Sequence, residues 1–105
     1  MSHDISIIST TLPGEWKEFE VGSFSHRLVE HGVACVQLIP INSMYKWKGE
    51  VNSEKEWKLE LKVSNLNLDS VIKFLKEIHP YDNPQIIYWN AKGTSEYSKW
   101  VDDHS

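Results

Sequence analysis

The chain has 105 residues, 40% hydrophobic and 25% charged, the size and balance of one globular domain spanning residues 1–105. Its formal net charge is −4, with neither a basic stripe nor an acidic tail, which argues against a nucleic-acid binder. No apolar run approaches the roughly 20 residues that span a bilayer, and a lone cysteine, Cys35, excludes an internal disulfide.

The N-terminal "MSHDISIIST" has no basic segment followed by a long apolar one, so no signal peptide is predicted and the cytoplasm is the expected compartment. Residues 4–11 predict a short strand: Ile5, Ile7 and Ile8 are β-branched and a Leu-Pro-Gly turn follows. Residues 15–31 predict a helix, with Val21, Phe24 and Leu28 at turn spacing and Gly32 as its stop. Gly22 weakens its middle.

Residues 33–40, "VACVQLIP", are apolar on both faces apart from Gln37, which predicts a central strand covered on both sides. The strand extends into "INSMYKWK". Residues 55–63 alternate cleanly, with Trp57, Leu59, Leu61 and Val63 on one face and Lys58, Glu60 and Lys62 on the other. "GEVNSE" between them reads as a polar turn. A long hairpin follows, expected to bring Trp47 and Trp57 together.

Residues 67–79 predict an amphipathic helix. Leu68, Val71, Ile72, Leu75 and Ile78 form its apolar stripe, Asn67 its cap, and Pro80 its end. Residues 85–91 predict a last strand and "TSEYSKWVDD" a short closing helix with Tyr97, Trp100 and Val101 on one side.

The order β-α-β-β-α-β plus a helix predicts an α+β, ferredoxin-like fold: an antiparallel sheet with two helices on one face, a long β2–β3 hairpin and a short C-terminal helix. The second sheet face would be too apolar to stay bare, which predicts self-association. Five Trp and four Tyr agree with that.

Chemistry-bearing groups are sparse. Cys35 lies mid-strand with no histidine near it in sequence, the setting of an inert buried thiol. Nothing resembles a nucleophile elbow or a phosphate loop. His3, His26, His31, His79 and His104 are scattered, so no metal site is complete in one chain, although several subunits can combine ligands. "HPYDNP" at 79–84 is the one dense polar cluster. It reads as a site built on His79, Tyr81 and Asp82, and also as a plain turn, since Asp and Asn bond their own backbone and Pro84 stiffens the exit.

Four separated pieces, "RLVEHGVACVQLIP" at 27–40, "SMYKWKGEV" at 43–51, "HPYDNPQII" at 79–87 and Gly93-x-x-x-Tyr97-x-x-Trp100, resemble in order and spacing the CutA family of divalent-cation tolerance proteins. The resemblance implies a ferredoxin-like subunit in a tight homotrimer whose hairpins contact neighbours. It implies a non-enzymatic role in tolerance of copper and other divalent cations, with Cu(II) or another divalent cation as ligand and His79 and Cys35 as the candidate metal residues. Such trimers also look like PII signalling proteins, which implies an alternative: an effector cleft with Tyr81, Asp82 and Lys46. A trimeric scaffold for a protein partner is a third reading. The match departs from the pattern at Ser9, where metal-binding members carry cysteine, and at Ile78, where a second histidine would precede His79. Residues 12–26 match poorly, and Lys46 and Lys48 replace Trp and Glu.

Overall fold

The computed structural model describes residues 3–105. Strands β1 (His3–Pro13), β2 (Cys35–Trp47), β3 (Glu50–Val63) and β4 (Ile86–Gly93) alternate with helices α1 (Glu18–His31), α2 (Leu68–Ile78) and α3 (Ser95–His104), in the order β1-α1-β2-β3-α2-β4-α3. The sheet order is β2-β3-β1-β4, with every neighbouring pair antiparallel. This is the ferredoxin-like arrangement anticipated from the element order.

Period-2 alternation sorts the sheet into two faces. Leu59, Leu61 and Val63 of β3 join Ile8 and Leu12 of β1 beneath Val21, Phe24 and Leu28 of α1 and Val71 and Leu75 of α2. This is the main core, and the clean alternation of residues 55–63 is realised in it. The opposite face has a smaller core. There Val101 of α3 covers Ile5 and Ile7, with Ala34 and Ala91 packed alongside. The closing helix therefore covers part of the second face, while Ile39, Ile87 and Trp89 on the same side remain exposed.

Several local expectations change. β2 is an edge strand, not a central one; its two-faced apolar run has only one face covered within the chain. The residues read as a polar turn are mostly β3, which begins at Glu50. The turn is Lys48-Gly49, with φ of 51° and 80°, both positive as a two-residue type I′ hairpin requires. Trp47 pairs with Glu50 and Trp57 with Pro40, so the two tryptophans stand seven residues, about 24 Å, apart along the ribbon.

α1 begins at Glu18, not residue 15. Residues 14–17 instead turn back, with Trp16 N–H bonded to the Pro13 carbonyl at 3.1 Å, and the Glu20 carboxylate accepts from Lys17 N–H at 2.9 Å. Gly32 ends α1 at φ 123°, where a side chain would be strained. Asn67 does not cap α2 with its side chain; it closes a 3-10 turn, Asn65–Asn67, whose own cap is Ser64.

Candidate functional site

Pro80 cannot continue α2, and this places His79 at the helix end in an extended conformation, φ −67° and ψ 135°. Its ring reaches β1 on the α1/α2 side of the sheet. Nδ1 accepts the Tyr81 backbone N–H at 3.1 Å. The neutral ring therefore carries its proton on Nε2, which donates to Thr10 Oγ1 at 3.0 Å. Phe24 meets the ring edge-on at 6.2 Å between centroids.

Tyr81 makes a second, separate bond with its side chain. Its hydroxyl donates to Glu56 Oε2 at 2.9 Å, which ties the α2–β4 loop to β3 where β1 ends. Burial lowers the His79 pKa, against the Thr11 carbonyl and the charge of Glu56, which raise it. Burial also pushes the Tyr81 phenol well above its ordinary value, helped by the bond to Glu56 and by the nearby charges of Glu56, Glu54 and Glu15. Tyr81 is thus a fixed donor at neutral pH and His79 a neutral imidazole.

Glu56 also borders an open cleft of ≈ 320 Å³ at the root of the hairpin, between Pro40, Ile41 and Asn42 of β2, Lys55, Glu56 and Trp57 of β3, and Gly14. The cleft wall is braced from behind, because Trp57 Nε1 donates to the Trp16 carbonyl at 2.9 Å. A Cβ on Gly14 would overlap the Lys55 carbonyl oxygen, so only glycine permits this approach.

The two metal candidates are not brought together. Cys35 opens β2 half-buried and pairs with Lys62 on the α3 side of the sheet. His79 lies on the other side. Lys62 is itself engaged by Glu60, at 2.7 Å, and by Gln37. Of the other histidines, His26 pairs with Glu30 at 3.1 Å, His31 stacks on Phe74 at 4.0 Å, and His104 stacks on Trp100 at 4.7 Å. Among the described residues no three His, Cys, Asp or Glu are grouped to hold a metal ion. Of the effector candidates, Tyr81 is bonded to His79 and Glu56, Asp82 is exposed on its loop, and Lys46 stands far out on the hairpin opposite Val51.

Sequence reasoning missed Thr10, Trp16 and Glu56. Thr10 was legible in part: strand parity puts it on the face of Ile8 and Leu12, where a hydroxyl needs a partner. The pairing of Tyr81 with Glu56 had no local signal, since 25 residues separate them.

Among the described residues no helix is long and apolar enough to cross a membrane. Comparison with known proteins then supplies the wider context. Residues 6–104 match the family model described as CutA1 divalent ion tolerance protein. The chain is 31% identical over 97 residues to the divalent-cation tolerance protein CutA of Thermotoga maritima, covering 90% of this chain and 93% of that one. It is 30% identical over 99 residues to protein CutA of Bos taurus, covering 92% of this chain and 54% of the bovine protein. It superposes on the solved structure of CutA from Synechococcus elongatus with a TM-score of 0.90 at 27% identity, over 99% of this chain and 93% of that one.

Proposed function

The chain belongs to the CutA1 divalent ion tolerance family, and from that premise we propose a non-enzymatic, cytoplasmic homotrimer that serves divalent-cation tolerance and binds Cu(II) or a similar cation weakly. The observation that carries this reading is the group of His79, bonded to Thr10 and the Tyr81 backbone, and Glu56, bonded to the Tyr81 hydroxyl, with Glu56 lining the cleft at the hairpin root. An imidazole and a carboxylate are the donor types it offers a borderline divalent ion.

One chain does not fit such an ion alone. Two donors fall short of the roughly four that a closed site needs, and the His79 Nδ1 lone pair is already taken by Tyr81 N–H. A donor from a second copy is therefore part of the proposal. Cys35, on the other side of the sheet, enters only toward an ion shared with a neighbour. Binding is weak in this reading because ligation at Nδ1 displaces an existing hydrogen bond.

Calorimetric titration with Cu(II) tests it. The wild type is expected to give a saturable heat, and His79→Ala to weaken binding by about tenfold or more, the scale on which altered metal sites lose affinity. Matching isotherms, or no heat from either protein, remove His79 from the site.

The cleft favours a second reading. Lys55, Asn42 and Trp57 line it beside the Glu56 carboxylate, so an ammonium, an amide and an aromatic wall stand next to one negative charge, a combination suited to a small effector that carries an anionic group and a hydrogen-bond donor for Glu56. A thermal shift with anionic metabolites and none with Cu(II) would select this reading over the first.

A further inference from the structure

On the helix side of the sheet, the strap before α1 and the helix's first turns enclose a second cavity, of ≈ 270 Å³, lined by Trp16, Phe19, Glu20, Ser23, Phe24 and Arg27. Helical spacing explains the set. Residues at i, i+3, i+4 and i+7 share one face, so Glu20, Ser23, Phe24 and Arg27 line up along α1. Phe24 is buried, and the Trp16 ring meets it edge-on at 5.8 Å between centroids, which makes a rigid floor. Phe19 is the open wall, 70% exposed. Three rings around one hollow form an apolar bed of the kind that holds a small ligand.

The bed has a charge at each end. Arg27 makes no ion pair among the described residues. Its guanidinium lies 5.8 Å from the centre of the Phe74 ring, and that ring is stacked on His31 at 4.0 Å. Aromatic contact thus steadies the fork while its N–H donors have no carboxylate to bond. At the other end Glu20 is held through Oε1 by Lys17 N–H at 2.9 Å, and its Oε2 has no partner among the described residues. Glu20 and Arg27 stand two helical turns apart, about 10 Å along the axis, with Ser23 between them on the same face.

We propose that this cavity binds a small aromatic acid, a phenyl ring with a carboxylate arm at one end and a hydrogen-bond donor at the other. The carboxylate meets the Arg27 fork, whose paired N–H groups match its two oxygens. The ring lies against Trp16, Phe19 and Phe24, and the far donor bonds to Glu20 Oε2. Volume sets the size: drug-sized ligands take about 300–1,000 Å³, so ≈ 270 Å³ admits about one substituted ring. Charge sets the polarity, since a ligand with an anion at both ends meets Glu20, and a wholly apolar one covers the Arg27 donors without pairing them. The cavity is on the α1/α2 side of the sheet, away from the face where Ile39, Ile87 and Trp89 stand exposed, so burying that face against a second copy leaves it open. Five of its six lining residues fall within 12–26, the stretch that departs from the family pattern, which marks the cavity as a feature of this chain.

Amide NMR titration of the full chain with 4-hydroxyphenylacetate tests the site, and neither metal binding nor oligomeric state enters its readout. Saturable shifts are expected at residues 16–27, with a Kd of about 1 mM for so few contacting atoms. Arg27→Gln should weaken binding about tenfold or more, and Arg27→Lys, which keeps the charge and loses the fork, should fall between the two. Phe19→Ala, which lies outside both cores, should weaken it as well. Phenylacetate, lacking the hydroxyl, and 2-(4-hydroxyphenyl)ethanol, lacking the carboxylate, should each bind about fivefold or more weakly than the full ligand. Shifts that never saturate, or equal affinity in wild type and Arg27→Gln, overturn the proposal. Shifts centred on Asn42 and Lys55 overturn it too, by placing the ligand in the hairpin-root cleft. Phenylacetate binding as tightly as its hydroxylated form overturns the part given to Glu20.

Discussion

At the scale of single residues, His79 is held as a neutral ring by two opposed bonds, one accepted at Nδ1 and one donated from Nε2. Protonation would put a proton on Nδ1 and turn the Tyr81 N–H against a donor. Burial already lowers the His79 pKa, so the unfolded chain binds this proton more readily than the folded one. The linkage sign follows: stability is full above the unfolded value of about 6.5 and is lost as pH falls from there toward the folded pKa. Urea midpoints at fixed protein concentration, taken from about pH 8 to about pH 5, should decline on the acid side. His79→Gln offers an uncharged amide in place of the ring and should flatten that decline relative to wild type, while lowering stability at neutral pH by about 1 kcal/mol through its poorer fit. Parallel pH profiles for the two proteins would show that the ring does not titrate in this way. The turn reading of "HPYDNP" accounts for the corner and for the helix stop at Pro80. The partners of His79 and Tyr81 were not legible, because Thr10 and Glu56 reach them only through the sheet register.

At the scale of elements, the hairpin root depends on a strap that the sequence presented as the start of a helix. Residues 14–17 cross β3 so closely that Gly14 abuts the Lys55 carbonyl and the Trp16 carbonyl takes the Trp57 indole N–H. Gly14→Ala inserts a methyl against rigid backbone, not against a flexible side chain. It should cost about 1–3 kcal/mol, the range of overpacking in a well-filled site, and should loosen the strap. Amide exchange localises the effect: protection should fall at Trp57 and around α1's first turn and hold in α2. An unchanged melting temperature would mean that the strap shifts freely. Local pattern marks Gly14 only as part of a turn, since a close approach between residues 41 positions apart leaves no trace in it. Strand alternation in residues 55–63 was legible because one face is fully buried. The hairpin tip was misplaced because "GEVNSE" is polar on account of the hairpin's exposure, not because it turns; the Lys48-Gly49 pair, with a glycine at a positive φ, was the turn signal.

At the scale of the whole molecule, the second sheet face is divided. α3 closes the half over β1 through Val101, Ile5 and Ile7, and it leaves Ile39 at one edge and Ile87 and Trp89 at the other in contact with solvent. Sequence pattern anticipated an apolar face needing cover but could not apportion it, because the closing helix carries few apolar residues and nothing local says which face it joins. The exposed remainder lies on both edge strands, where unpaired backbone groups add to the demand for a partner. In the proposed trimer these residues are buried between subunits, and this gives a test of that reading. Ile39→Glu/Ile87→Glu places charge on surface that already faces water in one chain, so the circular dichroism of the fold should persist. Buried at a subunit contact, the same carboxylates would be desolvated without partners, a cost of several kcal/mol, and the trimer should fall to monomer at micromolar concentration. A variant that keeps the wild-type mass would place Ile39 and Ile87 outside any subunit contact. A variant that loses its fold along with its mass would show instead that the open half of the sheet is stable only when a second copy covers it, and the trimer would then be a condition of folding as well as of function.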